Sequence, residues 1–322
     1  MQVVDFDTKT ITADNHVLET YRTCEEKYRL GLHEHWRPAE AAAALGFGIA
    51  MHEARATYKK LTMQSALNQL VIDRLVSLAD YAIEKGLNTW DAEMPPEMKT
   101  EVMQDNKRSR RNFERLARGY FEKFGGDDFQ SIRVEIPGKK FLGTTPEGWT
   151  MNYVYTIDEV VKHRDKVYPL EFKTMSGFSP PDPRFFSQFS NKASITGYIW
   201  ATEQELGVDI PGAIIHAMWV QAEPKGKSKY ALADYFRMDY TYRDDDQIEE
   251  WKRNTLLTGD DIVRSVQENR WKRNDGVACS MYNGCSFKKI CEATPEIRSK
   301  LLEIGYEKKE WSPWARIDGE VE

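Results

Sequence analysis

The stretch from Asn152 to Thr174 constrains this chain more than any other. Tyr153, Tyr155 and Ile157 alternate with Val154 and Thr156, the period of two expected of a half-buried strand. Lys162 to Lys166 is a charged run, after which Val167 to Phe172 resumes strand character. The pattern predicts a β-hairpin that folds Asp158 back toward Glu171 and Lys173. Residues i and i+2 of a strand share a face, so Glu171 and Lys173 point one way and Phe172 turns to the core. Two carboxylates and an ammonium then converge. Carboxylates side by side repel unless a cation joins them, and a hard divalent ion such as Mg2+ takes oxygen ligands of this kind. Glu-x-Lys also occurs on ordinary hairpins as an exposed cross-strand pair, so the rest of the chain must decide between the two readings.

Upstream, Gly46 to Ala54 leads into a helix to about Leu61. Gly48 and His52 are one helical turn apart: the glycine permits close approach to the backbone, and the imidazole projects from the same face. A lone histidine there otherwise reads as a surface or capped residue. The other expected elements are a short strand and turn over residues 1–14, a helix capped by Asn15 and running to about Leu30, and a helix from about Ser65 to Glu84. A loop from Trp90 to Pro96 precedes a basic helix from Glu97 to Phe124, ended by Gly125-Gly126. Strands follow at Ser131 to Ile136, Ala213 to Gln221 and Tyr230 to Tyr240, with helices from about Arg184 to Leu206, Asp244 to Arg270 and Pro295 to Ile304. Strands flanked by helices indicate one α/β domain over residues 1–322, with a helical N-terminal part (1–125), a core (126–240) and a helical C-terminal part (241–322).

Composition narrows the function classes. The chain has 41% hydrophobic and 30% charged residues, as folded soluble proteins do, and a net charge of −6, which argues against wholesale non-specific nucleic-acid binding while permitting a local basic groove. No run of eighteen apolar residues and no basic-then-apolar leader is found, so a cytoplasmic protein with no membrane partner is expected. Lys107, Arg108, Arg110, Arg111, Arg115, Arg118 and Lys123, interleaved with Phe113 and Tyr120, either track phosphates or form a solvated helix face answered by Glu114 and Glu122. Lys225, Lys227 and Lys229 around Gly226 read as an exposed hairpin turn.

All four cysteines lie far from the hairpin: Cys279, Cys285 and Cys291 are spaced six apart, and Cys24 is 255 residues before the first of them. Disulfides are not expected in a cytoplasmic chain, and five intervening residues fit a zinc knuckle poorly. Four thiolates, one remote in sequence, suit a 4Fe-4S cluster; Zn2+ and free thiols are the remaining readings.

The order Gly48, His52, Asp158, Glu171-x-Lys173 resembles the RecB-like branch of the PD-(D/E)XK nuclease superfamily. The cysteine layout, with Cys285-Ser286-Phe287-Lys288-Lys289-Ile290-Cys291 closing the pattern, is similar to CRISPR-associated RecB-like exonucleases and phage-encoded relatives. The resemblance spans roughly Asn15 to Cys291. It implies a restriction-endonuclease-like α/β core, a mixed central sheet flanked by helices, with a C-terminal Fe-S region in which Cys24, Cys279, Cys285 and Cys291 hold the cluster. It implies Mg2+ or Mn2+ held by His52, Asp158, Glu171 and the backbone carbonyl of Phe172, with Lys173 aligning the attacking water. Tyr198 matches the Tyr of the branch's Gln-x-x-x-Tyr helix. Ser194 stands at the Gln position and is too short to reach as far, so the glutamine's role is either absent or filled by Gln188. Thr156 stands where the family often has glycine. The activity implied is DNA cleavage, as an exonuclease on ends or single strands, in phage or bacterial recombination, repair or DNA processing, with a recombination or helicase partner. A non-catalytic DNA-binding or recombination-partner module retaining the fold is the alternative.

Overall fold

The computed structural model describes residues 2–39, 43–67, 73–93, 107–125, 129–274, 276–280 and 284–314. It is a mixed α/β structure with a mixed sheet flanked by helices. The chain separates into two compact units, residues 1–40 with 137–156 and 245–322, and residues 41–136 with 157–244.

The first unit begins with strands β1 (Val4–Asp5) and β2 (Thr10–Ala13), paired antiparallel. Helix α1 (Asn15–Thr23) is capped by Asp14, one residue earlier than the sequence suggested, because the extended backbone of Asp14 lets its carboxylate accept from Val17 N–H at 2.7 Å. The expected single helix to Leu30 is broken at Cys24, whose extended backbone (φ −166°, ψ 116°) ends α1 and begins α2 (Glu25–Tyr28). A π-helical turn (Arg29–His33) and strand β3 (Trp36–Pro38) follow.

In the second unit, α3 (Ala43–Leu67) is one continuous helix that includes Gly46 to Ala54, and α4 (Asp73–Glu93) packs along it. A Cβ on Gly86 of α4 would lie 2.7 Å from the Ala54 Cβ and 2.8 Å from the Ala50 carbonyl oxygen, so only glycine permits this helix approach. Trp90 to Glu93 is the last turn of α4 rather than loop, with Trp90 buried in the core. Helix α5 (Arg110–Phe124) is capped by Ser109 and buries Phe113, Leu116, Ala117, Tyr120, Phe121 and Phe124, an i, i+3, i+4, i+7 stripe. Of the rest of the expected basic helix, residues 107–109 form the turn before α5 and not helix, and residues 97–106, like Gly126, lie outside the described residues. Strand β4 (Gln130–Thr144) is much longer than expected.

Strands β5 (Thr150–His163) and β6 (Lys166–Met175) form the expected hairpin, with Glu159 opposite Leu170 and His163 opposite Lys166. Its turn is only Arg164-Asp165, both at positive φ (48° and 63°), the two-residue type I′ geometry that matches the twist of the strands. Tyr153, Val154 and Tyr155 are all buried, so this part of β5 is covered on both faces and not half-exposed as its alternation suggested. The expected helix from Arg184 is two, α6 (Pro183–Ser187) and α7 (Ala193–Leu206), and α7 packs on β6 and β7. Strand β7 (Gly212–Trp219) is buried throughout and runs parallel to β6; β8 (Phe236–Tyr242) pairs with it antiparallel after a 3-10 turn over Leu232–Tyr235. The run of β7, apolar but for His216, suits a strand covered on both faces. One core joins Phe47, Met51, Phe113, Tyr120, Phe172 and Phe236.

The remainder of the first unit pairs Thr10–Ala13 of β2 with Thr150–Tyr153 of β5 in parallel, and adds α8 (Asp245–Glu268). Three short helices, Val277–Ser280, Lys288–Glu292 and Pro295–Gly305, precede β9 (Tyr306–Lys308), which pairs with β3.

Candidate active site

The hairpin register, continued one step beyond Glu159 and Leu170, sets Asp158 opposite Glu171. At that point the backbone ladder gives way to a side chain: Phe172 N–H donates to Asp158 Oδ2 at 3.0 Å. Both acids are buried, at 6% exposure each. Lys173, two residues along the same face, pairs with Glu171 Oε1. The Lys173 side chain is partly exposed, whereas the carboxylate it meets is buried.

Helix α3 brings the fourth group. A Cβ on Gly48 would lie 3.4 Å from Thr174 Oγ1, so the helix crosses β6 at this point. One helical turn on, a rise of about 6 Å, His52 lies against Phe172, two strand residues or roughly 6.6 Å back along β6. The His52 and Phe172 rings meet edge to face at 5.1 Å, and His52 Nδ1 is 3.3 Å from Asp158 Oδ1. The glycine-histidine spacing thus works as a ruler against the strand.

Burial pushes the Glu171 carboxyl above its usual range, with the neighbouring Asp158 charge acting the same way and Lys173 and His52 opposing it. Two buried oxygen donors short of positive charge fit a hard divalent cation chemically. Among the described residues no three His, Cys, Asp or Glu side chains converge closely enough to hold a metal; His52 faces Asp158, and Lys173 faces Glu171.

Tyr198 is half-buried on α7, the helix that packs on β6, and Ser194 of the same helix is buried. Gln188 donates its Nε2 to the Phe185 carbonyl at 2.7 Å, a bond local to the end of α6. The basic block of α5 is largely answered: Arg110 pairs with Asp91, Arg111 with Glu223 and Arg118 with Asp80, while Arg115 and Lys123 donate to the carbonyls of Gln221 and Ala233.

A second set of groups behind the site has little trace in the sequence. Glu159, fully buried on the face of β5 opposite Asp158, takes hydrogen bonds from Ser131 Oγ and from the equally buried Arg55. Arg55 Nε donates to Tyr120 Oη at 3.1 Å, its guanidinium lies 5.7 Å from the Phe172 ring centroid, and Tyr120 Oη meets His216 Nδ1 at 2.8 Å. Burial alone would lower the Arg55 pKa, but Tyr120, Glu159 and Asp158 together raise it. His216 is held well below its usual value by burial and by Arg55 and Lys59, so it sits neutral in the core. Only one sequence signal marks this set: Glu159 adds a second acid next to Asp158, between Ile157 and Val160-Val161, and an acid among apolar neighbours calls for a buried cation.

In the first unit, burial raises the Cys291 thiol, and Cys24 and Cys285 are close enough to act on it electrostatically in the same direction, against Arg273. Cys279 Sγ faces the Asn274 carbonyl at 3.6 Å, and the Cys279 carbonyl accepts from Cys285 N–H at 3.0 Å. Asn274 Nδ2 in turn donates to the Thr23 carbonyl at 2.8 Å, tying the tail to the residue before Cys24.

A family model described as the PD-(D/E)XK nuclease superfamily matches residues 16–292. The chain belongs to this superfamily. No curated protein matches it. Among solved structures it is similar to a protein from Eubacterium rectale named "Putative exonuclease", at 12% identity and a TM-score of 0.41, over 87% of this chain and 90% of that one. The mixed sheet flanked by helices is that of a PD-(D/E)XK nuclease, a class that hydrolyses phosphodiester bonds and typically uses divalent metals such as Mg2+. No helix among the described residues is long and apolar enough to cross a membrane.

Proposed function

We propose that the chain is a Mg2+- or Mn2+-dependent DNA nuclease of the RecB-like type, an exonuclease acting on DNA ends in phage or bacterial recombination, repair or processing. The observation that carries this reading is the hairpin register that sets the His52–Asp158 pair opposite the Lys173–Glu171 pair, at the point where β5 and β6 stop sharing a ladder. His52, Asp158, Glu171 and the Phe172 carbonyl would hold the ion. When bound, such an ion supplies a Lewis acid for the phosphoryl oxygen and lowers the pKa of water. Lys173, with its ammonium at the solvent edge, orients the attacking water and offsets the charge that develops on the phosphate. Tyr198 positions the strand to be cut.

The test is cleavage of end-labelled linear DNA beside closed circles, with Mg2+, with Mn2+ and with EDTA. Linear substrate degraded only with metal, and circles left intact, is the expected result. Inertness toward both substrates with either ion would overturn the nuclease reading, and cut circles would overturn its exonuclease part.

His52→Ala is expected to lower activity in Mg2+ by about tenfold or more and to recover part of it at raised Mn2+, since imidazole suits Mn2+ better than Mg2+. Loss of soluble protein instead would mean that His52 serves packing against Phe172 alone.

Cys24, Cys279, Cys285 and Cys291 are proposed to hold a 4Fe-4S cluster that braces the first unit. Asn274, which accepts from Cys279 Sγ and donates to the Thr23 carbonyl beside Cys24, links the two ends of the cysteine set and supports this reading. Anaerobic protein is expected to be brown, with broad absorption near about 400 nm and roughly four irons per chain. A colourless preparation with one stoichiometric zinc would replace the cluster by zinc and leave the nuclease reading standing.

A further inference from the structure

We propose that Phe178 is a base-stacking residue that engages the single-stranded end of the polynucleotide a few nucleotides from the bond to be cut, with Lys225 and Lys227 taking its phosphates. This role rests on the nuclease reading above and specifies how the substrate is held.

Phe178 is fully exposed. A solitary exposed ring is ordinary on a protein surface, so exposure alone decides nothing. Here the backbone on either side of the ring is pinned. Trp219 Nε1 donates to the Gly177 carbonyl at 3.0 Å, Arg108 Nη2 donates to Ser176 Oγ at 3.2 Å, and Pro180 and Pro181 just beyond are buried. The ring therefore stands on a fixed base, pre-set for a flat partner without an ordering cost on binding.

Its place in the sheet points to the partner. Strands β6 and β7 are parallel and end together, Met175 beside Trp219, with Val220 N–H donating to the Met175 carbonyl at 2.7 Å. The two loops that leave this edge are the one carrying Phe178 and the one carrying Lys225 and Lys227. Helix α5 and the turn before it tie both loops down, through Arg108 to Ser176 and through Asn112 and Arg115 to the Gln221 carbonyl. Ligands of open α/β sheets bind beyond the carboxyl ends of parallel strands, which is where these groups lie. Lys225 and Lys227 are exposed and have no ion-pair partner among the described residues, in contrast to Arg110, Arg111 and Arg118 of α5, which are paired with acids.

Phe178 is five residue steps beyond Lys173, a reach of at most about 18 Å. Stacked bases rise about 3.4 Å per nucleotide, so the ring meets a base within roughly five nucleotides of the phosphate at Lys173. An aromatic face accepts any base, and lysines follow the backbone, the combination by which single strands are held without sequence preference.

The experiment measures binding and turnover of fluorescein-labelled oligo(dT), binding with Ca2+ in place of Mg2+. Phe178→Ala is expected to raise Kd and KM by about tenfold with kcat changed little, and Phe178→Trp to restore both, with its added emission quenched by the oligonucleotide. Phe178→Leu, apolar but without a π face, should behave like the alanine variant. Lys225→Ala and Lys227→Ala should each flatten the slope of log K against log salt by about 0.7, the share of one single-strand phosphate. Unchanged Kd and KM in Phe178→Ala, with wild type cleaving normally, would overturn the stacking role and leave the ring as a protein-docking or solvent-facing residue. If wild type neither binds nor cleaves the oligonucleotide with any metal, the nuclease reading itself fails, a different outcome from the first.

Discussion

Glu171→Ala and Asp158→Ala are expected to lower cleavage by at least about a thousandfold, on the order of 4 kcal/mol of barrier, while the protein stays folded. The reason is electrostatic. Each acid is buried beside the other, and burial already holds the Glu171 carboxyl above its usual range, so removing one of the two relieves repulsion as well as removing a ligand. Glu171→Gln keeps the volume and should melt no lower than wild type yet be equally inactive. Lys173→Ala should be as inactive with metal affinity retained, since the ammonium pairs with Glu171 from the solvent edge. Metal titration by calorimetry beside a cleavage assay separates the three variants. Cleavage at the wild-type rate in Glu171→Ala would show that the hairpin is not the site.

The largest stability effect is expected at Arg55, which lies outside the proposed metal ligands. Arg55→Ala leaves Glu159 buried with only Ser131 as a partner, and removing one member of a buried ion pair costs about 3–5 kcal/mol. Thermal unfolding should show a fall on the order of 10 °C. Removing both charges together, Arg55→Leu with Glu159→Leu, should recover much of the stability, because an apolar pair of similar volume often does as well as a buried ion pair. The double variant is nonetheless expected to turn over more slowly than wild type. Arg55 also holds Tyr120 and lies over Phe172, whose backbone N–H orients Asp158. A double variant as unstable as Arg55→Ala would assign the effect to poorer packing rather than to the orphaned acid.

The placement of Asp158, Glu171 and Lys173 was legible in the sequence because it is local. A hairpin of period two fixes which side chains share a face, and the register of Glu159 with Leu170 carries Asp158 to Glu171 without help from any other element. Gly48 and His52 were legible for the same reason, since one turn of helix is a fixed length. The boundaries that failed did so where neighbours override periodicity. Trp90 is drawn into the core by the packing of α4 on α3, and Cys24 adopts an extended backbone inside what reads as one amphipathic helix.

What the tertiary structure alone decided is the second row of groups. Arg55 lies on α3, Tyr120 on α5, Glu159 on β5 and His216 on β7, and no spacing relates them. The fate of the basic block was equally out of reach. Asp91 and Asp80 of α4 and Glu223 of the loop after β7 answer its arginines, whereas the sequence offered only Glu114 and Glu122 on the same helix. The physical reason is common to both. Strand and helix periods determine the direction in which a side chain leaves its own backbone, but a buried charge is neutralised by whichever element the fold brings against it, and that partner is chosen by packing rather than by distance along the chain.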